Sequence, residues 1–545
     1  MAAALGLSLA LMSCANVDDS VVDAAVDPAV KVTQGLVLLN ATVVNTRDGS
    51  LSSGRAVVIE GGWIRRIVAS SAVRPSGTAQ VIDARGKYVV PGYLDMHSHA
   101  LDSADRQPSN WPLMIANGIT GVREAGGVPN AIARSRQLNA ERAAGSLSAP
   151  EILLTPGDTL ADMTSAAAAV AAVQQRKAQG AGFVKVVSAN RPAMLAILSE
   201  AKAQGLDVAG HLTPALSALE SSNAGLKSIE HLGSSMGTLL DCSTDEDAIR
   251  AALLAGPGGK PGAAQIAPPA VPSFAANAAN AALFQRVLDT YSEAKCQALA
   301  QAFVRNGTWH VPTLRRVRTL LTSDDPALAS AADLAYADPL LRAGWDKAAQ
   351  LFRSTLDVNA RATFRRYYQQ QQALTRLLKQ AGVKMLTGSD ISRISIWLVP
   401  GFSLQQDFSE LAAAGLSPLE ILQMTTLNAA EFLHREATLG TVEAGKQADL
   451  VLLDANPLAD AANLGRIAAV VLQGRYLPKE QLEQMKRGVT QAYKIQAQAA
   501  LPSEALARRS EALDPIRYLS CEHELPAGQA VQDTALNRAH RHSTL

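Results

Sequence analysis

Tyr88-Val89-Val90-Pro91-Gly92-Tyr93-Leu94-Asp95-Met96-His97-Ser98-His99 is an apolar strand that ends in two histidines one residue apart. Side chains alternate faces along a strand, so His97 and His99 point the same way and can reach one ion. Working outward, short β-rich runs alternate with longer helical patterns at 119–123, 151–154, 183–187, 207–210, 228–230, 308–312 and 383–387. Counting the first, these are eight runs in βα alternation, which predicts an α/β chain with a (β/α)8 barrel. An open doubly wound sheet would carry a glycine-rich phosphate loop after its first strand, and this sequence has none there.

The barrel is flanked by different textures. Residues 35–90 read as short strands separated by Asp48-Gly49 and Gly61-Gly62, and similar strands return only at 448–454 and 468–474. A small β-sandwich domain built from both ends of the chain is expected. The expected order is a signal segment at 1–14, the β domain at 35–90, a barrel at 91–435, the β domain again at 436–477, and a helical then irregular extension at 478–545. An insertion at 235–300 carries Gly256-Pro257-Gly258-Gly259 and Pro268-Pro269-Ala270-Val271-Pro272, which exclude regular structure there. It reads either as a lid on the catalytic face or as a surface insertion without function.

With 545 residues, 48% hydrophobic and 18% charged, the chain can bury a large core. A net charge of +1, from 50 basic and 49 acidic residues, leaves no electrostatic footprint for nucleic acid or an anionic membrane surface. A small-molecule or dipeptide-like substrate is the expected partner. The apolar run 2–12 ends in Leu11-Met12-Ser13-Cys14, which resembles a bacterial lipobox, although no Lys or Arg precedes it. The resemblance implies a lipidated Cys14, export to the periplasm or cell envelope, and membrane contact through that anchor alone. Export makes disulfides possible, and Cys242 and Cys296 could pair across the insertion, while Cys521 has no evident partner.

The chemistry-bearing residues cluster at strand ends. His211 follows Val208-Ala209-Gly210, His231 follows Ser228-Ile229-Glu230, and Asp390 follows Thr387-Gly388-Ser389. Barrel enzymes place catalytic groups at these ends, and imidazole with carboxylate is the ligand set of an open zinc site. His310, at the seventh strand end, reads as a substrate-binding or a packing residue. Lys185 sits mid-strand among apolar neighbours, where an ammonium beside a metal is repelled. Either it reaches out of the barrel, or its amine has become a carbamate, an anionic ligand able to bridge two metals.

The ordered set Val90-Pro91-Gly92-Tyr93-Leu94-Asp95-Met96-His97-Ser98-His99, Gly182-Phe183-Val184-Lys185-Val186, Gly210-His211, Ile229-Glu230-His231, Gly388-Ser389-Asp390 and Gly440-Thr441-Val442-Glu443-Ala444-Gly445-Lys446-Gln447-Ala448-Asp449 resembles the amidohydrolase superfamily. Within it, the imidazolonepropionase-like and Xaa-Pro dipeptidase-like branch is the nearest in pattern, over residues 35–477. The resemblance implies two zinc ions: His97 and His99 with Asp390 on the first, His211 and His231 on the second, and carboxylated Lys185 between them. It also implies hydrolysis of an amide or peptide-like carbon–nitrogen bond by a metal-bridging hydroxide, with Asp390 carrying the proton. One alternative is a mononuclear cyclic amidase or deaminase. Pro214 stands where a deaminase of this superfamily would carry its glutamate shuttle. A second alternative is an inactive lipid-anchored binding protein, whose mark would be a broken ligand set.

Overall fold

Aliphatic side chains alternating along short segments build most of the first ninety described positions into strands. The computed structural model describes residues 29–101, 110–128, 130–234, 236–255, 278–392 and 395–498, so Cys14, Cys521 and residues 256–277 of the insertion lie outside the described residues. The strands are β1 (Val30–Val32), β2 (Leu36–Val44), β3 (Leu51–Glu60), β4 (Trp63–Ala69), β5 (Val73–Pro75), β6 (Gln80–Asp83), β7 (Tyr88–Pro91), β8 (Tyr93–Ser98), β9 (Ile119–Glu124), β10 (Glu151–Leu154), β11 (Val184–Val186), β12 (Val208–Gly210), β13 (Leu226–Glu230), β14 (Trp309–Val311), β15 (Leu450–Leu453), β16 (Ile467–Leu472) and β17 (Arg475–Pro478).

Both ends of the chain meet in one sheet of order β17-β16-β15-β7-β2-β3-β4, with β6 beside β2. Its seam is the antiparallel pair β7 and β15, in which Tyr88 faces Leu453 and Pro91 faces Leu450. Alternation gives the sheet two apolar faces. Leu36, Leu38, Val57 and Ile59 pack on one side with Leu450 and Leu452. Val37, Ala56 and Val58 pack on the other against Val30, Val32 and Val73 of the small parallel pair β1 and β5. This departs from the expected sandwich of two comparable sheets: one sheet of eight strands carries a two-stranded piece. The runs 35–39 and 41–44 are also one strand, β2, with its register shifted between Leu38 and Ala41 and Asn40 at φ 60° between them.

The run 88–94 is divided at Gly92. Its first half, β7, belongs to the mixed sheet, whereas β8 begins a TIM-barrel-like α/β array. Parallel ladders join β8-β9-β10 and β11-β12-β13-β14, and helices pack around them through a large apolar core. Helix Arg191–Ala203 illustrates the pattern: Asn190 caps it, and Ala193, Met194, Ile197, Leu198 and Ala201 recur at three and four residues on its buried side. The two ladders are not one continuous closed sheet. Backbone hydrogen bonds span the gaps, from Gly182 N to Thr155 O at 2.9 Å and Leu160 N to Lys185 O at 2.8 Å on one side. On the other, Met96 N donates to Thr387 O at 3.0 Å and Leu386 N to His310 O at 2.9 Å. The eighth expected run, 383–387, forms only an isolated bridge between Met385 and His310.

The described flanks of the insertion are helical: Gly237–Asp241, Glu246–Ala255, Ala278–Asp289 and Glu293–Asn306. A disulfide joins Cys242 to Cys296 with Cα atoms 4.8 Å apart, so both ends of the insertion are fastened beside the barrel. Helix Lys479–Gln498 follows the mixed sheet and packs against helix Asn110–Ala116. Among the described residues, no helix is long and apolar enough to cross a membrane.

The bridge closes a loop of 54 residues, which on loop-closure entropy stabilises the fold by on the order of 4 kcal/mol. Peptide mapping without reductant should recover Cys242 and Cys296 in one cross-linked species. Cys296→Ser should lower the thermal midpoint by several degrees; recovery of both cysteines as alkylatable thiols would refute the pairing.

Candidate functional site

Each strand delivers its residue to the same end of the array. His97 leaves the end of β8, fully buried, and His99 follows with a side chain 21% exposed. Asp390 reaches them from the segment after Thr387. Two backbone bonds stitch these segments together, Asp390 N to His97 O at 2.7 Å and His99 N to Ile391 O at 3.0 Å. The Asp95 carboxylate completes the junction by accepting from Ser389 N at 3.0 Å and Ser389 Oγ at 2.5 Å. Gly388 is required by this approach, because a Cβ there would lie 2.6 Å from the Cβ of His97. Gly210 has a similar reason, its would-be Cβ lying 2.2 Å from Val186 O, so β12 can run close to β11 just before His211.

The resulting cluster is tight. Asp390 Oδ1 lies 3.0 Å from His99 Nε2 and 3.3 Å from His97 Nε2. Ligand atoms of His97, His99 and Asp390 all fall within 4.8 Å of one another. The His231 ring is centred 4.4 Å from that of His97 and 5.1 Å from that of His211. Lys185, in β11, is buried alongside with 2% exposure. Backbone strain is concentrated here too: His231, Thr313 and Asp390 have φ of 55°, 43° and 51°, a region that side chains other than glycine avoid. The structure therefore brings His97, His99, Lys185, His211, His231 and Asp390 together.

Beneath the cluster lies a buried relay that the sequence reading left without a role. Glu230 Oε2 is 2.5 Å from His97 Nδ1, and Arg123 holds both Glu230 oxygens, at 2.7 and 2.9 Å. Arg123 also donates to Met96 O at 2.5 Å, and its guanidinium lies over the rings of Phe183 and Phe432. Thr313 Oγ1 sits 2.7 Å from His231 Nδ1, and Arg316 Nε donates to Asp390 Oδ2 at 2.9 Å. The available signal was charge inside apolar strands, Arg123 after Gly121-Val122 and Glu230 after Ser228-Ile229. Of the two roles expected for His310, its surroundings are those of a packing residue. Its strand neighbours Trp309 and Val311 pack inward with Leu94, Met96 and Leu386, so alternation turns His310 outward, 4.8 Å from Phe303 of helix Glu293–Asn306. It does not join the cluster.

Burial governs the electrostatics. Desolvation pushes His97, His211 and His231 below the ordinary imidazole value, the last two well below it, and the positive charge of Lys185 adds to this. Desolvation also lowers the Lys185 ammonium to about 8, against the pull of Glu230 and Asp390. Burial alone would raise Glu230, yet Arg123 and His97 hold it well below the usual carboxylate range. Neutral imidazoles with accepting nitrogens are what a metal requires. His97 Nε2, Lys185 Nζ and His211 Nδ1 are buried without a hydrogen-bond partner, an arrangement that costs free energy unless something else contacts them. The donor set and these atoms fit a divalent metal centre.

Residues 358–477 match the model of the amidohydrolase family. An imidazolonepropionase from Anaeromyxobacter dehalogenans is 41% identical over 81 residues, 14% of this chain and 19% of that protein. The chain thus spans about a fifth of the length of that relative. Among solved structures, a bottromycin amidohydrolase superposes with a TM-score of 0.63 at 19% identity, covering 84% of this chain and 90% of that one. A prolidase complexed with N-methylphosphonate-L-proline gives 0.53 at 21% identity, covering 81% and 99%. These likenesses describe the fold.

Glu230→Gln removes the charge that orients His97 and leaves Arg123 unpaired. It should weaken metal retention by about 10–100-fold, read by competition with a chelator, and destabilise the fold by about 3–5 kcal/mol. Adding Arg123→Met should recover stability without recovering metal retention; equal recovery of both would mean that Glu230 matters to packing alone.

Proposed function

We propose that this chain belongs to the amidohydrolase superfamily and is a metal-dependent hydrolase of carbon–nitrogen bonds in small amide or dipeptide-like substrates. The observation that carries the reading is the convergence of His97, His99 and Asp390 within 4.8 Å, beside His231, His211 and a buried Lys185. His97, His99 and Asp390 would hold one divalent ion and His211 and His231 a second, with zinc favoured by the imidazoles. Lys185 would join them after its neutral amine adds to carbon dioxide and loses a proton, giving a carbamate. Bound there, metal supplies a polarised scissile carbonyl and a water of lowered pKa.

The chain's own residues do the rest. Glu230, backed by Arg123, keeps the Nδ1 proton of His97 and so leaves Nε2 free to ligate. Thr313 does the same for His231. Asp390 takes a proton from the attacking water and delivers it to the leaving nitrogen, so that a C–O bond forms as the C–N bond breaks. A relative that is an imidazolonepropionase and a structural neighbour that is a prolidase support peptide-like or cyclic amides as substrates. A mononuclear site is the second reading, favoured by the tight group of His97, His99 and Asp390 found among the described residues. The Cys242–Cys296 bridge fits an exported protein, and lipidation of Cys14 would anchor it to the cell envelope.

Protein purified without added metal should hold about two zinc ions per chain, with carbamate on Lys185 by intact mass, and Lys185→Ala should lower the metal content. One ion, unchanged by that substitution, would select the mononuclear reading. Asp390→Asn should cut kcat by at least about 100-fold on whichever dipeptide or N-acyl amino acid is turned over, and full activity in that variant would remove Asp390 as the proton carrier.

A further inference from the structure

The turn that carries His231 runs left-handed. His231, Leu232 and Ser234 have φ of 55°, 53° and 60°, with Gly233 between them at 101°. Ser234 pairs its φ with a ψ of 168°, a combination that glycine adopts freely and other residues avoid. Such a stretch persists only where its surroundings hold it. On the site's side, Thr313 Oγ1 lies 2.7 Å from His231 Nδ1, and Leu212 N donates to Gly233 O at 3.0 Å. On the other side the turn rests against helix Gly237–Asp241. A Cβ on Gly237 would lie 2.2 Å from Leu232 O, so the start of that helix and the turn are in direct backbone contact.

This short helix opens the insertion and is fixed at both ends. Before it, Met236 O accepts from the Tyr367 hydroxyl at 2.7 Å. Tyr367 is fully buried in helix Val358–Gln380 and packs edge-on against Phe284 of helix Ala278–Asp289, the ring centres 4.5 Å apart. After it, Cys242 is bonded to Cys296. Ser292 N donates to Cys242 O at 2.9 Å and Thr244 N to Thr290 O at 2.8 Å, so the two sides of the insertion close into a neck.

We propose that this neck is a buttress for the His231 turn, and that Tyr367 is a positioning residue for the His231 imidazole. This rests on the reading of His231 as a metal ligand. The neck presses Gly237 against Leu232 and keeps the turn in its left-handed form. Without that support the backbone relaxes toward the ordinary regions and carries the ring away from His97 and His211. The insertion is then part of the ligand scaffold.

The test uses full-length protein and zinc, with retention read by competition with a chelator. Tyr367→Phe keeps the ring and deletes the hydroxyl; it should weaken retention of one of two ions by about tenfold or more, the range for a residue that orients a ligand. Ser234→Gly removes the cost of the unusual backbone, so adding it to Tyr367→Phe should return retention to within about threefold of the unsubstituted protein. A role of Tyr367 in packing alone would not be relieved by a glycine in the turn. Unchanged retention in Tyr367→Phe, or a loss that Ser234→Gly leaves in place, overturns the buttress. A second readout needs no metal: in metal-free protein, the amides of 231–242 should exchange with deuterium about tenfold or more faster in Tyr367→Phe and regain protection in the double variant. Exchange that is the same in all three proteins also overturns it. If the unsubstituted protein holds one zinc ion or none, the two-ion reading fails, and the exchange rates still decide the buttress.

Discussion

Arg123 gives two N–H donors to Glu230, and Glu230 in turn holds Nδ1 of His97, so three side chains from β9, β13 and the end of β8 are tied through the middle of the array. The upper cluster depends on this link. His97 is the residue around which the other rings are arranged, with His99 and His231 within ring-contact distance. A buried guanidinium and carboxylate are costly to desolvate, and pairing recovers that cost only when nearly every donor and acceptor is used. Here Met96 O accepts from Nε of Arg123, Ser228 Oγ donates to Glu230, and the rings of Phe183 and Phe432 flank the guanidinium, while Nη1 of Arg123 is buried without a hydrogen-bond partner. Stability and the orientation of the His97 ring are therefore the same interaction viewed from two sides.

A second constraint lies where the last segment returns to the first. The 387–391 segment does not run as a strand, yet it bonds to β8 at Met96, His97 and His99. Regular pairing would carry Asp390 past the histidines. The left-handed backbone of Asp390 and the Asp95 grip on Ser389 instead turn the carboxylate into them. The missing strand and the strained residue are thus one local solution, in which ladder hydrogen bonds are given up for the position of this carboxylate.

The mixed sheet contributes at a distance. Asp449 at its seam makes a buried ion pair with Arg142 of helix Ala131–Ala143 and takes Gln473 N on its other oxygen, while Gly92 N donates to its backbone carbonyl. That places a well-anchored residue directly beside the start of β8. The direction in which β8 sets out, and so where His97 and His99 arrive, is fixed by a residue 357 positions later in the chain, counting from Gly92 to Asp449.

What the sequence alone determined were features carried by local pattern: most of the runs that become strands, though not that 383–387 would form only an isolated bridge, the paired faces of His97 and His99, and the placement of His211, His231 and Asp390 after apolar segments. Period-two alternation and strand-end position are written into consecutive residues, so they can be read without coordinates. Only the tertiary structure decided that Glu230 belongs to His97, that Arg316 belongs to Asp390, and that His310 faces Phe303. Each of these joins residues far apart in the chain, and a one-residue change of strand face reverses the outcome, as at His310 between Trp309 and Val311. The same holds for the order of strands in the sheet that joins both ends, whose shared origin was expected, because a strand's partners are chosen by packing of the whole chain and not by its own composition.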